Sequence, residues 1–260
     1  MTTSLASTHS ASKFVPFRST PRSRIDAHGF NRNLFFGEPD SDGPGPQAYV
    51  NDLDPRIELG AHFHKVDQYQ VFFGAPGATY KHRPIPRVLL HYTDAYSTYG
   101  PFSSGEKARL KYATLWAQSS NFGGVMPGSE AELIRRGRLR NLTVEVPLTT
   151  AEPGVPAVFR DILERHADGL YAFTVTLGAA ETVSIPKADR TSGRYFCLLS
   201  GALVVDGQEV ESRSLGWAPP EDTAVDVTAG PSGCCLLVMD FPSPSTPETI
   251  AAGAPGNANY

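Results

Sequence analysis

Two histidines one residue apart, His62 and His64 in the stretch GAHFHKVDQYQVFFG, are the residues of this 260-residue chain best suited to chemistry. On an extended strand, residues i and i+2 share a face, so both imidazoles point one way and Phe63 the other. Same-face imidazoles can hold one divalent transition metal, with Fe, Mn, Zn and Ni among the ions that accept this donor. Gln68 can add a neutral amide oxygen. Asp67 is the stronger donor, but the spacing does not fix its face. His82 and His91 follow, so that four of the seven histidines fall between 62 and 91. His82 comes after the turn at Gly74–Gly77, which should return the chain to the level of Gln68, and it is the expected third ligand beside His62 and His64. His91 opens the segment HYTDAY and is expected to meet substrate or to orient a ligand. On this reading His91 and Gln68 serve catalysis, and one divalent metal sits in each chain. Phe72, Tyr92, Tyr96 and Phe102 would line a pocket for a flat or apolar molecule, unless such aromatics simply fill the core.

The elements that must position these residues read as β. Short runs rich in aromatic and β-branched residues recur, bounded by Gly, Pro or Asp, among them RIELGAHFH, DQYQVFFG, RVLLHYTD, RLKYATLWAQ, LYAFTVTLG, GRYFCLLSG and CCLLVMDFP. Asp206-Gly207 inside VVDGQEV signals a two-residue hairpin. Helix is expected only over 129–137, where Ser129 and Glu132 form a capping box, and over 158–168, where Phe159, Ile162, Leu163 and His166 share a helical face. YQVFFGAPG and YFCLLSGAL form a weak internal repeat, which predicts two β-barrels or sandwiches in tandem.

The spacing in GAHFHKVDQYQVFFG resembles the first cupin motif, His-x-His followed by a Glu and then a Gly. Gln68 stands at the Glu position and Gly74 falls one residue early. The resemblance covers about 31–125 and, more faintly, 156–243. It implies an all-β chain of two jelly-roll barrels: an arm over 1–30, a barrel with the metal site over 31–125, a connector over 126–155, a degenerate barrel over 156–243 and a tail over 244–260. Metal-binding cupins usually take a third histidine from a second motif, and Phe102 occupies its counted place here. The second half has lost the motif: SIP stands where His-x-His should be, and Arg194 precedes its aromatic strand. The resemblance implies a metal-dependent enzyme of dioxygenase or isomerase/lyase type acting on a small aromatic or enolisable molecule. A non-catalytic binding or sensor module without metal is the alternative, and homodimerisation is expected by analogy.

Composition narrows the classes. A formal net charge of −4 with no long basic run argues against a nucleic-acid surface. No apolar stretch approaches the ~20 residues that span a bilayer. Cys197, Cys234 and Cys235 lie in apolar runs and read as buried reduced thiols, which suits a cytoplasmic setting. The Ser/Thr-rich start lacks a signal-peptide core, and 1–24 and 244–260 are expected to be disordered or wrapped around a partner subunit.

Overall fold

The computed structural model describes residues 13–39, 41–121, 123–133, 138–151 and 155–244. The chain is all-β apart from three short 3-10 turns among these residues. The first barrel has a seven-stranded sheet, in the order Asn141–Glu145, Val88–Thr93, Gln68–Phe73, Leu110–Trp116, Gln47–Leu53, Phe30–Phe36 and Arg22–Ile25. A small four-stranded sheet and the pair His62–His64 with Gly123–Val125 complete it. The second half forms an eight-stranded sheet whose central members are Arg194–Val205 and Val225–Asp240.

Period-two patterning sorts the strand Gln68–Phe73 onto two faces. Tyr69 and Val71 join the largest buried cluster, which contains Leu90, Tyr92 and Leu115 from the first barrel and Tyr195, Cys197, Leu237 and Phe241 from the second. The principal core therefore lies between the barrels. Phe72 joins a second cluster with Tyr80, Tyr99, Phe102 and Tyr112, inside the first barrel. Two tyrosines clamp the interface reciprocally. Tyr69 Oη donates to the carbonyls of Tyr171 and Asp240 at 3.2 Å, and Tyr195 Oη donates to the carbonyl of Trp116 at 2.9 Å. All three cysteines are buried and free.

Three expectations need correction. The segment expected as a helix over 158–168 begins with the strand Val158–Leu163, paired with Tyr171–Leu177 through a bulge between Asp161 and Leu163. Phe159 lies stacked near Phe173, and this cross-strand packing overrides a helical period carried by only four residues. Over 129–133 the capping box yields only a 3-10 turn, Glu130–Glu132, with no side-chain cap; 134–137 lie outside the described residues. The arm is not loose from residue 13 onward. Lys13–Val15 pairs with Leu215–Ala218 of the second barrel, and Arg22–Ile25 pairs with Phe30–Phe36 of the first. The rest of both tails, 1–12 and 245–260, lies outside the described residues. The Asp206-Gly207 hairpin forms as read, with both residues at positive φ and Val205 opposite Gln208.

Candidate functional site

The histidine strand is held on both sides. His62 exchanges backbone hydrogen bonds with Tyr99 at 3.0 and 2.9 Å, and Gly123 lies opposite His64. Glycine is required there: a Cβ at 123 would stand 1.9 Å from the Phe63 carbonyl oxygen and 2.9 Å from His64 Nδ1. His62 and His64 are half-buried with ring centroids 5.4 Å apart, while Phe63 is fully buried on the opposite face beside Tyr96.

The His62 ring hydrogen bonds the Gly60 carbonyl through Nδ1 at 2.8 Å. A carbonyl only accepts, so Nδ1 carries the proton and Nε2 keeps its lone pair. Burial lowers the His62 pKa and favours the neutral ring. Tyr99 occupies the middle of the site. Its ring lies 4.3 Å from His62, 6.2 Å from His64 and 5.1 Å from His91.

Gln68 and Gln70 project from one face of their strand and are almost fully buried. Trp116 Nε1 donates to Gln68 Oε1 at 2.7 Å. The indole N–H can only donate, which fixes the amide with its oxygen on the tryptophan and its NH2 turned away. Gln68 Nε2 lies against the Tyr99 phenol without completing a hydrogen bond of normal geometry. Gln70 Nε2 reaches the same phenol at 3.4 Å, and Gln70 Oε1 is buried without a partner. Burial raises the Tyr99 pKa, so the phenol is neutral. His91 is fully buried. Its Nδ1 meets the Leu142 carbonyl and Thr143 Oγ1 at 3.1 Å, and Tyr80 Oη stands 3.2 Å from each ring nitrogen. Burial and then Lys81 hold the His91 pKa near 3.

The structure thus brings His62, His64, Gln68, His91, Phe72 and Phe102 to the interior side of one barrel. The others fall elsewhere. His82 is exposed at φ 60° in the turn joining Thr79–Tyr80 to Arg83–Pro84, because the hairpin closes in two residues and sends its tip outward. Tyr92 has the opposite parity from His91. It packs in the core between the barrels and donates to Asp94 Oδ1 at 2.7 Å. Tyr96 stacks behind the histidine strand on Phe63. Asp67 faces away, accepting from the Ala95 N–H at 2.9 Å. Sequence reasoning missed Gln70, although its i+2 spacing from Gln68 carries the signal. Tyr99 and Trp116, two further aromatics of the site, carry no spacing signal that separates them from core filling.

A resident metal does not fit this donor set. Gln68 spends its oxygen on Trp116, both nitrogens of His91 have partners, and His82 is outside. Among the described residues no three His, Cys, Asp or Glu side chains converge on one point. Two imidazoles fall short of the three protein donors of a catalytic site.

No protein-family model matches the chain, and no curated protein does. Solved structures do. A candidate dioxygenase from Nostoc punctiforme matches with a TM-score of 0.60 at 10% identity, over 91% of this chain and 85% of that one. The bacterial pirin of Escherichia coli, in complex with nickel(II), matches at 0.55 and 12%, over 90% and 100%. Salicylate 1,2-dioxygenase from Pseudoaminobacter salicylatoxidans, with gentisate, matches at 0.53 and 13%, over 89% and 81%. These likenesses span both halves of the chain, and its fold is that of the bicupins, two cupin barrels in tandem.

Proposed function

We propose that the first barrel is a binding site for a small, planar, hydroxylated organic molecule, a phenol or an enol, held by the neutral His62 imidazole beside His64 without a resident metal. The observation that carries this is the fixed polarity of the site. His62 Nε2 offers a lone pair and seeks a donor such as an O–H. Gln68 Nε2 offers a buried donor that makes no normal hydrogen bond beyond its contact with the Tyr99 phenol, and the Gln70 amide, which reaches the same phenol, keeps its second polar atom buried without a partner. Buried groups in that state mark a place completed from outside. His62 and His64 are the half-buried members, so ligand would enter on their side, against the rings of Tyr99 and Trp116. The dioxygenase neighbours, one of them seen with gentisate, favour an aromatic ligand class.

The test is calorimetric titration with hydroxybenzoates and their methyl ethers, alongside metal analysis of the purified protein. The phenols should bind and the ethers, lacking the O–H, should bind at least tenfold more weakly. His62→Phe should remove the difference. One divalent metal per chain, lost in both His62→Ala and His64→Ala, would overturn the reading in favour of a metal-dependent dioxygenase or isomerase/lyase.

A further inference from the structure

A cleft of about 160 Å³ opens at the boundary of the barrels, at the Phe73 end of the strand Gln68–Phe73. Arg87 reaches it from the first barrel, just before the strand Val88–Thr93, and Ser212 and Arg213 reach it from the turn before Leu215–Ala218 of the second. Its floor includes Phe73 and Leu148, half-buried side chains packed against the core between the barrels. No carboxylate lines it among the described residues. Glu211, the carboxylate nearest to Arg213 along the chain, is held by Arg18, through Nε at 2.9 Å and the backbone N–H at 2.7 Å.

Arg213 is fixed where it stands. Its backbone N–H donates to the Leu198 carbonyl at 2.7 Å, and its φ of 72° is a left-handed conformation that favours glycine. A long cationic side chain held in that conformation is backbone strain at a cleft wall, where strain accompanies binding. The guanidinium carbon lies 5.2 Å from the centroid of the Phe17 ring, and Nε is buried without a partner. A ring on the face of a guanidinium uses none of its N–H groups, which donate in the plane. Neither Arg213 nor Arg87 has an ion pair or a side-chain hydrogen bond among the described residues. We propose that this cleft binds a small oxoanion, a phosphate or carboxylate group, between the two barrels. The Nη edge of Arg213 is its anchor, Ser212 Oγ donates beside it, and Arg87 closes on it from the exposed rim. A planar fork of donors matches either group, and a partly buried cation with no counter-charge is stabilised by an incoming anion.

The experiment is calorimetric titration of the full-length protein with inorganic phosphate and, separately, with succinate, at pH 7.5 and constant ionic strength made up with chloride. One anion per chain should bind saturably, and the tighter of the two identifies the headgroup. Arg213→Gln should weaken it about tenfold or more, and Arg87→Gln by a smaller factor. Leu148→Trp, which fills the cleft and leaves both arginines in place, should abolish binding; it carries the test should Arg213→Gln fail to fold. Arg83→Gln, at an exposed arginine of another turn, and His62→Phe, in the barrel site, should leave binding unchanged. No saturable binding of either anion, unchanged binding in Arg213→Gln or Leu148→Trp, or an equal loss in Arg83→Gln would each overturn the proposal.

Discussion

Replacing His91 with Gln tests whether the interior of the first barrel holds its imidazole neutral. His91 is fully buried, and its pKa is held near 3 against an ordinary value of 6.5. The folded chain therefore refuses a proton that the unfolded chain accepts once the pH falls below 6.5. The stability associated with this group is fully present above 6.5 and is lost as the pH drops toward 3. Each unit of the fall costs about 1.4 kcal/mol per proton, so between pH 7.5 and pH 5 the loss is about 2 kcal/mol. Asp67 titrates in the same window with the opposite sign, and His62 with the same sign, but both are present in the two proteins and cancel in the difference. Gln has no titrating group and can still donate to the Leu142 carbonyl from its amide. Urea unfolding of wild type and His91→Gln at both pH values reads the effect directly. The wild type should lose about 2 kcal/mol more than the variant over that interval. If the two lose the same stability within about 0.5 kcal/mol, His91 is charged or solvated in the folded state and the account of the barrel interior is wrong.

Three further outcomes follow from the same physics. Asp67→Asn should stabilise the fold at pH 7.5, since a carboxyl whose folded pKa is raised from 3.8 to about 6 is a liability once ionised; the gain should be on the order of 2–3 kcal/mol by denaturant melts and should vanish below pH 4. Gly123→Ala should cost on the order of 2–4 kcal/mol and shift the His62 and His64 imidazole resonances, because its Cβ would collide with the Phe63 carbonyl. The three thiols should resist Ellman's reagent at pH 8 and react together only on unfolding: burial keeps them inaccessible and pushes Cys197 and Cys234 up to about 12.

The fold was legible because it is written in local chemistry. Strand-length aromatic runs end at turn residues, and Asp206-Gly207 closes its hairpin at the two residues whose turn chemistry marks it. The site was legible only in part. Same-face parity placed His62 with His64, since a period of two needs no tertiary knowledge, and Gln68 was reached through the motif position it occupies. His82 failed because its side depends on whether the intervening hairpin closes in two residues or four, which spacing alone does not fix. The Val158–Leu163 strand failed for the complementary reason: its partner, Tyr171–Leu177, outweighs its own period.

The internal repeat shows one position at which the two barrels differ. Gln68 and Arg194 each precede the tyrosine, Tyr69 or Tyr195, that reaches across the interface to the end of a strand in the other barrel. Those strand ends are Trp116 and Asp240, and each is the partner of the residue before the tyrosine in its own barrel. Trp116 binds Gln68 at 2.7 Å, and Asp240 takes Arg194 Nη2 at 2.9 Å. The same cross-strand position is therefore a neutral pair in one barrel and a buried ion pair in the other. In the second barrel, charge is matched inside the pair, with the Pro186 carbonyl accepting from Arg194 Nη1 at 2.6 Å. In the first, the neutral pair leaves the Gln68 NH2 facing the Tyr99 phenol beside two half-buried imidazoles. A satisfied ion pair closes the interior of its barrel, whereas an amide with spare hydrogen-bonding capacity leaves an interior that a ligand can complete. That difference at one repeated position is why the first barrel, and not the second, is where small-molecule recognition should be sought.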